Sequence, residues 1–211
     1  MEQQGTSNPW FSIWVRPKQT IQEITDKNPR MRFFVLSFIY GFPWMLQFAQ
    51  SLSIGMSWSL PFLLILAIVL AIPVGAIAFS LTAVILHWTG KLIKGQSSFI
   101  NLRAAVSWSN VPNVVTIALW LVLLGFFGIH LFDSYFTSHD FTSTERMVVM
   151  ITSGIELVAM IWSLVILVHA VAAVQKFSSW MGLLNVILSI IVLILLSYII
   201  KIILAWIGLG G

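Results

Sequence analysis

The chain has 211 residues, 59% hydrophobic and 9% charged, where soluble domains run to about 45–50% apolar and about 25% charged. No soluble fold of this length hides so much apolar surface, so lipid must be the solvent for most of it, in one membrane domain with no separate soluble domain. The formal charge of +4 comes from residues beside apolar runs, which excludes a nucleic-acid patch, and the absence of cysteine excludes disulfides, thiolate catalysis and Cys-ligated metal.

Residues 1–8 are polar and predicted to be disordered, with no apolar core of a cleaved leader, so the first span is expected to act as an uncleaved signal. The segment 9–28 is predicted to be an amphipathic helical element lying at the membrane interface. Trp10, Phe11 and Trp14 suit the headgroup boundary, Pro17 suits a first helical position, and Ile21 and Ile24 share one face. The alternative for this segment is a solvated tail.

Arg30 and Arg32 precede a first span over roughly 33–52, interrupted by Pro43, Gln47 and Gln50, with Pro43 expected to kink it. A second span is predicted over 60–88. Its Gly75-Ala76 pair reads as a place where helix backbones approach closely. A third span follows over 111–132, opened by Pro112, then an acidic loop with Asp133, Asp140 and Glu145. Spans four and five are expected over 147–174 and 182–207, joined by a turn around Lys176, with a short tail over 208–211. The prediction is therefore an all-α polytopic helix bundle of five transmembrane helices.

Five spans put the termini on opposite sides. One side receives Arg16, Lys18, Lys27, Arg30, Arg32, Lys91, Lys94, Arg103 and Lys176, nine of the 11 Lys and Arg, and the other receives Arg146 and Lys201. Basic residues favour the cytosolic side, so the N-terminus is expected in the cytosol and the C-terminus outside.

The stretch from His87 to Arg103, HWTGKLIKGQSSFINLR, holds three basic residues and no acid, and is read as a basic loop between spans two and three. Its run from Gly90 to Ser97 has the glycine spacing of a phosphate loop, but Gln96 stands where that motif needs lysine and no strand precedes it. The ordinary reading is a helix stop at Gly90, a turn at Gly95, and Lys91 and Lys94 facing anionic headgroups.

Glu156 falls well inside span four, where an ionised carboxylate must be neutral, paired or facing a cavity. Three readings stay open: a structural pair with Lys201 of span five, a proton or ion site, and a neutral carboxyl with a local hydroxyl partner. His87, His130, His139 and His169 have no metal-ligand spacing, and no Gly-x-Ser-x-Gly occurs. The outer cluster of Asp133, His139, Asp140 and Glu145 reads as a solvated loop.

Three stretches resemble the Yip-one (Ypt-interacting protein) family. The first runs from Asn8-Pro9-Trp10-Phe11 through Arg16-Pro17-Lys18 to Asn28-Pro29. It is similar to the proline-bracketed segment before the first span of bacterial-type members. The second is Gly90-Lys91-Leu92-Ile93-Lys94-Gly95-Gln96-Ser97-Ser98-Phe99 with Pro112 beyond it. It resembles the family's loop Gly-x-Leu-x-Gly-Gly-x-x-Ser-Phe. The third, Val168 to Trp180, resembles the link between the last two spans. Lys94 replaces a glycine common in the family, and Gln175 stands where an acid is frequent.

The resemblance implies a five-span membrane protein with a cytosolic N-terminus. Eukaryotic relatives act in vesicle traffic with Rab-type GTPases, and this chain is expected to lack their long soluble N-terminal region. It implies no catalytic residues. The expectation is a non-enzymatic scaffold or adaptor without cofactor, acting through two regions. One is the basic segment with Gly90, Lys91, Lys94, Gly95, Ser98, Phe99 and Arg103. The other is the N-terminal segment with Trp10, Phe11, Trp14 and Pro17. Its expected partners are the bilayer with anionic headgroups and a protein partner or second copy. The alternative is a small transporter or permeation unit centred on Glu156.

Overall fold

The computed structural model describes residues 8–136 and 140–206; the tail expected at the start of the chain, His139 and the closing residues 207–211 lie outside the described residues. Eight α-helices are described: α1 (Pro9–Val15), α2 (Pro17–Lys27), α3 (Phe33–Ser51), α4 (Leu60–Leu92), α5 (Phe99–Ser109), α6 (Val114–Phe127), α7 (Ser143–Gln175) and α8 (Ser179–Trp206). No strand occurs among the described residues. Five segments are long and apolar enough to cross a membrane: α3, α4, Phe99–Phe132, α7 and Ser179–Ile203. The five-span all-α prediction holds.

Several boundaries differ from the sequence reading. Residues 87–103 are not one loop: α4 continues to Leu92, only 93–98 are irregular, and Arg103 sits inside α5. The third span starts at Phe99 rather than near Val111, and Pro112 breaks it in the middle, within a single 3-10 turn at Val111–Asn113. The cause is burial. Ala104, Ala105, Val106, Ser107 and Trp108 are all buried, so α5 faces protein and lacks the uniform apolar signature of a lipid-facing helix. Spans four and five also begin a few residues earlier than expected, because Thr142 and Glu145 form a capping box at the start of α7 and Ser179 already belongs to α8.

The N-terminal segment bends at Arg16 into two helices, with a proline at the first position of each. Its apolar face is turned to protein: Ile13, Ile21 and Ile24 are buried in one core cluster with Leu86, Trp108 and Val171. The Thr20 hydroxyl donates to Ser12 Oγ at 3.0 Å and ties the two helices together. Phe11, Trp14 and Val15 remain exposed on α1.

α3 and α4 run antiparallel in backbone contact. A Cβ on Gly41 would collide with the Ala71 carbonyl, and one on Gly75 with the Ser37 carbonyl. In lipid, where no hydrophobic drive joins helices, such close approach supplies dispersion contacts and holds the pair. Pro43 and Pro73 lie inside these two helices. The second core cluster, with Leu46, Leu63, Trp120 and Phe132, fills the end of the bundle away from the 93–98 loop. Beyond Ser189, α8 carries no buried residue through Ile203.

Gly75→Leu should force the α3–α4 pair apart. The expected loss is about 1–3 kcal/mol or more, visible as a lower melting temperature of the detergent-purified protein, whereas Gly154→Leu, with open space around its Cβ position, should leave melting nearly unchanged.

Candidate functional site at the basic end of the bundle

Helix α4 stops at a reverse turn in which the Gly95 N–H donates to the Gly90 carbonyl at 2.8 Å. This six-to-one bond closes a helix end only if the residue before it takes a left-handed conformation. That residue is Lys94, with φ 67°. A side chain there costs about 1–2 kcal/mol relative to glycine. The same device ends α7, where Lys176 has φ 58° and the Phe177 N–H donates to the Ala172 carbonyl at 2.8 Å.

Gln175, the last residue of α7, is 2% exposed and lies between α4 and the 93–98 loop. Its Oε1 accepts from the Ser97 N–H at 3.0 Å, and its Nε2 donates to the Leu86 carbonyl at 3.4 Å. The two loop glycines make room for it. A Cβ on Gly90 would overlap Gln175 Nε2, and a Cβ on Gly95 would overlap Gln175 Oε1. A second polar contact lies beside it. The Thr89 hydroxyl donates to Asn185 Oδ1 at 2.7 Å and sits 2.7 Å from Ser189 Oγ, and Asn185 Nδ2 donates to the Leu86 carbonyl at 3.3 Å. Buried polar groups in a low-dielectric setting must be mutually satisfied. Here they fix the ends of α4, α7 and α8 to one loop.

The other sequence-selected residues fall around this knot. The Ser98 side chain caps α5 by accepting from the Asn101 N–H at 3.3 Å, and Phe99 opens that helix. The Arg103 guanidinium lies 4.3 Å from the Phe33 ring centroid and 5.7 Å from that of Phe99. Trp10 reaches the buried Trp108, with ring centroids 5.5 Å apart, and Arg32 lies 5.6 Å from the Trp10 ring. Lys91 and Lys94 are exposed, as are Trp88, Leu92 and Trp180. Thus Gly90, Gly95 and Ser98 shape the loop, Phe99 and Arg103 lie beyond it in α5, and Lys91 at the end of α4 and Lys94 in the loop are exposed.

Arg103 also borders a lateral groove of about 660 Å³. Arg30 and Phe34 form one wall, and Ile77, Leu81 and Val84 of α4 form an apolar floor. The two arginines are close enough for their like charges to interact, and among the described residues no ion pair neutralises either.

Glu156 is elsewhere. It borders a second groove of about 350 Å³ between α3, the break in the third span and α7. Of the three readings, the pair with Lys201 is not formed among the described residues. No ion pair joins them among the described residues, and no residue of α8 lines the groove. The reason is geometric: α8 packs beside α4 and α7 near its start and is bare farther along. In the acidic loop, His130 Nδ1 and Asp133 Oδ2 lie 2.9 Å apart, and Glu145 serves the cap of α7.

The family model for the Yip1 domain matches residues 11–200. The chain belongs to the Yip1 family. No curated protein and no solved structure matches it. In this Yip1-family chain the glycine-containing loop has a direct physical reading: the glycines admit the Gln175 carboxamide, and Lys94 occupies a left-handed position that glycine adopts more cheaply. Sequence reasoning missed Thr89, Asn185 and Ser189. The available signal was the spacing of Asn185 and Ser189, four residues apart and so on one face of an otherwise apolar helix.

Lys94→Gly should raise the melting temperature, by the equivalent of about 1 kcal/mol. Gly90→Ala should lower it by about 1–3 kcal/mol through collision with the buried amide. Thermal melting of both variants in one detergent tests the pair of opposite signs.

Proposed function

We propose that this Yip1-family protein is a membrane-organising scaffold that holds anionic phospholipid at the basic end of its bundle and presents that end, on the cytosolic side, to a protein partner. The observation that carries this reading is the groove between Arg30 and Arg103. Two guanidinium groups face an open cleft that no acid lines, and phosphate oxygens match their fork of donors. The floor is apolar: Ile77 and Leu81 are well exposed, and Val84 less so. Acyl chains would lie along that floor while the headgroup sits between the arginines.

Stacking of Arg103 on Phe33 and Phe99 orients the guanidinium without using its N–H groups. Lys91 and Lys94 add charge next to it, and Trp88, Trp180, Phe11 and Trp14 suit the headgroup boundary. The excess of Lys and Arg on this side supports the cytosolic placement. The transporter alternative rests on Glu156 bordering a groove at the break in the third span. Proton or ion flux in liposomes abolished by Glu156→Gln would favour it over the scaffold.

Native mass spectrometry of protein purified from membranes rich in anionic lipid should find retained anionic phospholipid. Arg30→Gln with Arg103→Gln should weaken that retention roughly 30-fold, from about 1 kcal/mol per guanidinium. Lys91→Gln with Lys94→Gln should have a smaller effect, because those side chains lie outside the groove. Unchanged retention in the double arginine variant would sink the lipid-holding role.

A further inference from the structure

Two charges of opposite sign lie unpaired in spans four and five. Glu156 and Lys201 are both exposed on the flanks of the bundle, and no ion pair within the chain joins them among the described residues. The hydrocarbon offers neither of them a partner, which makes each costly alone.

Their depths can be compared through the α7–α8 hairpin. Gly182 lies against Val168 and Ala172. Lys201 is 19 residues beyond Gly182, and Glu156 is 12 and 16 residues before Val168 and Ala172. At 1.5 Å per residue, Lys201 sits only about 5–10 Å farther along the membrane normal than Glu156. Side chains tilt toward the N-terminus of their helix. The two helices are antiparallel, so Lys201 leans toward the level of Glu156 and Glu156 toward that of Lys201. Two long side chains span the remaining gap.

We infer that Glu156 of one copy pairs with Lys201 of a second copy, with the bare far half of α8 lying in the groove beside Glu156. Copies in one bilayer share an orientation, and rotation about the membrane normal preserves depth, so the pairing is available between neighbours and not within a chain. The groove fits the occupant chemically. An ammonium has three donors, and besides the carboxylate the groove is lined by Tyr40, Gln47, Asn113 and Thr116. Ile39 also lines it, and Pro43, four residues on, has no N–H to give the Ile39 carbonyl. The apolar residues of α8 from Ile190 to Ile203 are exposed on all sides and would meet Trp44, Leu157 and Met160 at the groove rim. This inference stands apart from the arginine groove and does not depend on lipid binding there.

The chain has no cysteine, so introduced thiols report cleanly. Leu157→Cys lines the groove, and Ser197→Cys lies one turn before Lys201 on α8. Two differently tagged copies, one carrying each substitution, are co-expressed and treated in membranes with a short bismaleimide. A mixed-tag crosslink is expected from the pair and none from either copy alone. Glu156→Gln in the Leu157→Cys copy should cut its yield at least about tenfold. The exchange Glu156→Lys in that copy with Lys201→Glu in the other should restore it. Absence of the mixed-tag product overturns the inference, as does a product indifferent to Glu156→Gln. A monomer by native mass spectrometry, with a lipid amine held at Glu156, also overturns it.

Discussion

The carboxamide of Gln175 is the contact on which the basic end of this bundle depends. It is buried where three helix ends and a loop converge, and it satisfies the Ser97 N–H and the Leu86 carbonyl together. In lipid the helices gain little by hiding apolar surface from one another, so packing contacts and internal hydrogen bonds carry the association. A single side chain that bridges α7 to both α4 and the 93–98 loop therefore has leverage beyond its size. Gly90 and Gly95 follow from it, because any Cβ there would overlap the amide.

From that knot the rest of the basic end is placed. The loop directs α5 back into the bundle, where Arg103 stacks on Phe33 and faces the groove it shares with Arg30. The N-terminal helices close over α5 through Trp10 on Trp108 and through Ile13, Ile21 and Ile24. The amphipathic N-terminal segment thus uses its apolar face as core, and only its aromatic rim of Phe11 and Trp14 is left for the interface. The opposite end is held differently, by the backbone contact of α3 with α4 and an aromatic cluster around Phe127 and Phe132.

The spans themselves were legible in the sequence because runs such as 60–88 leave no other solvent than lipid. The start of the third span was not, because α5 is buried in protein and mixes alanine, serine and tryptophan. Pro112 was visible, and its position as an interruption in mid-span was not. Lys94 and Gln175 stood out as departures from the family pattern, but their meaning required the fold. One occupies a left-handed turn position, and the other enters a space made by glycines far away in sequence. The Glu156–Lys201 pair, one of the three readings open for Glu156, is not formed within the chain among the described residues, since counting residues along helices compares levels and does not bring two side chains to the same side of the bundle.

The most direct test of the account is amide hydrogen exchange across residues 93–98 in detergent, comparing the natural chain with Gln175→Ala. If the carboxamide holds the loop, Ser97 and its neighbours are protected in the natural chain. They should exchange much faster in the variant, while the α3–α4 contact around Gly41 and Gly75 keeps its protection. Equal exchange in the two proteins, or a loop already unprotected in the natural chain, would contradict the claim that this buried amide organises the basic end.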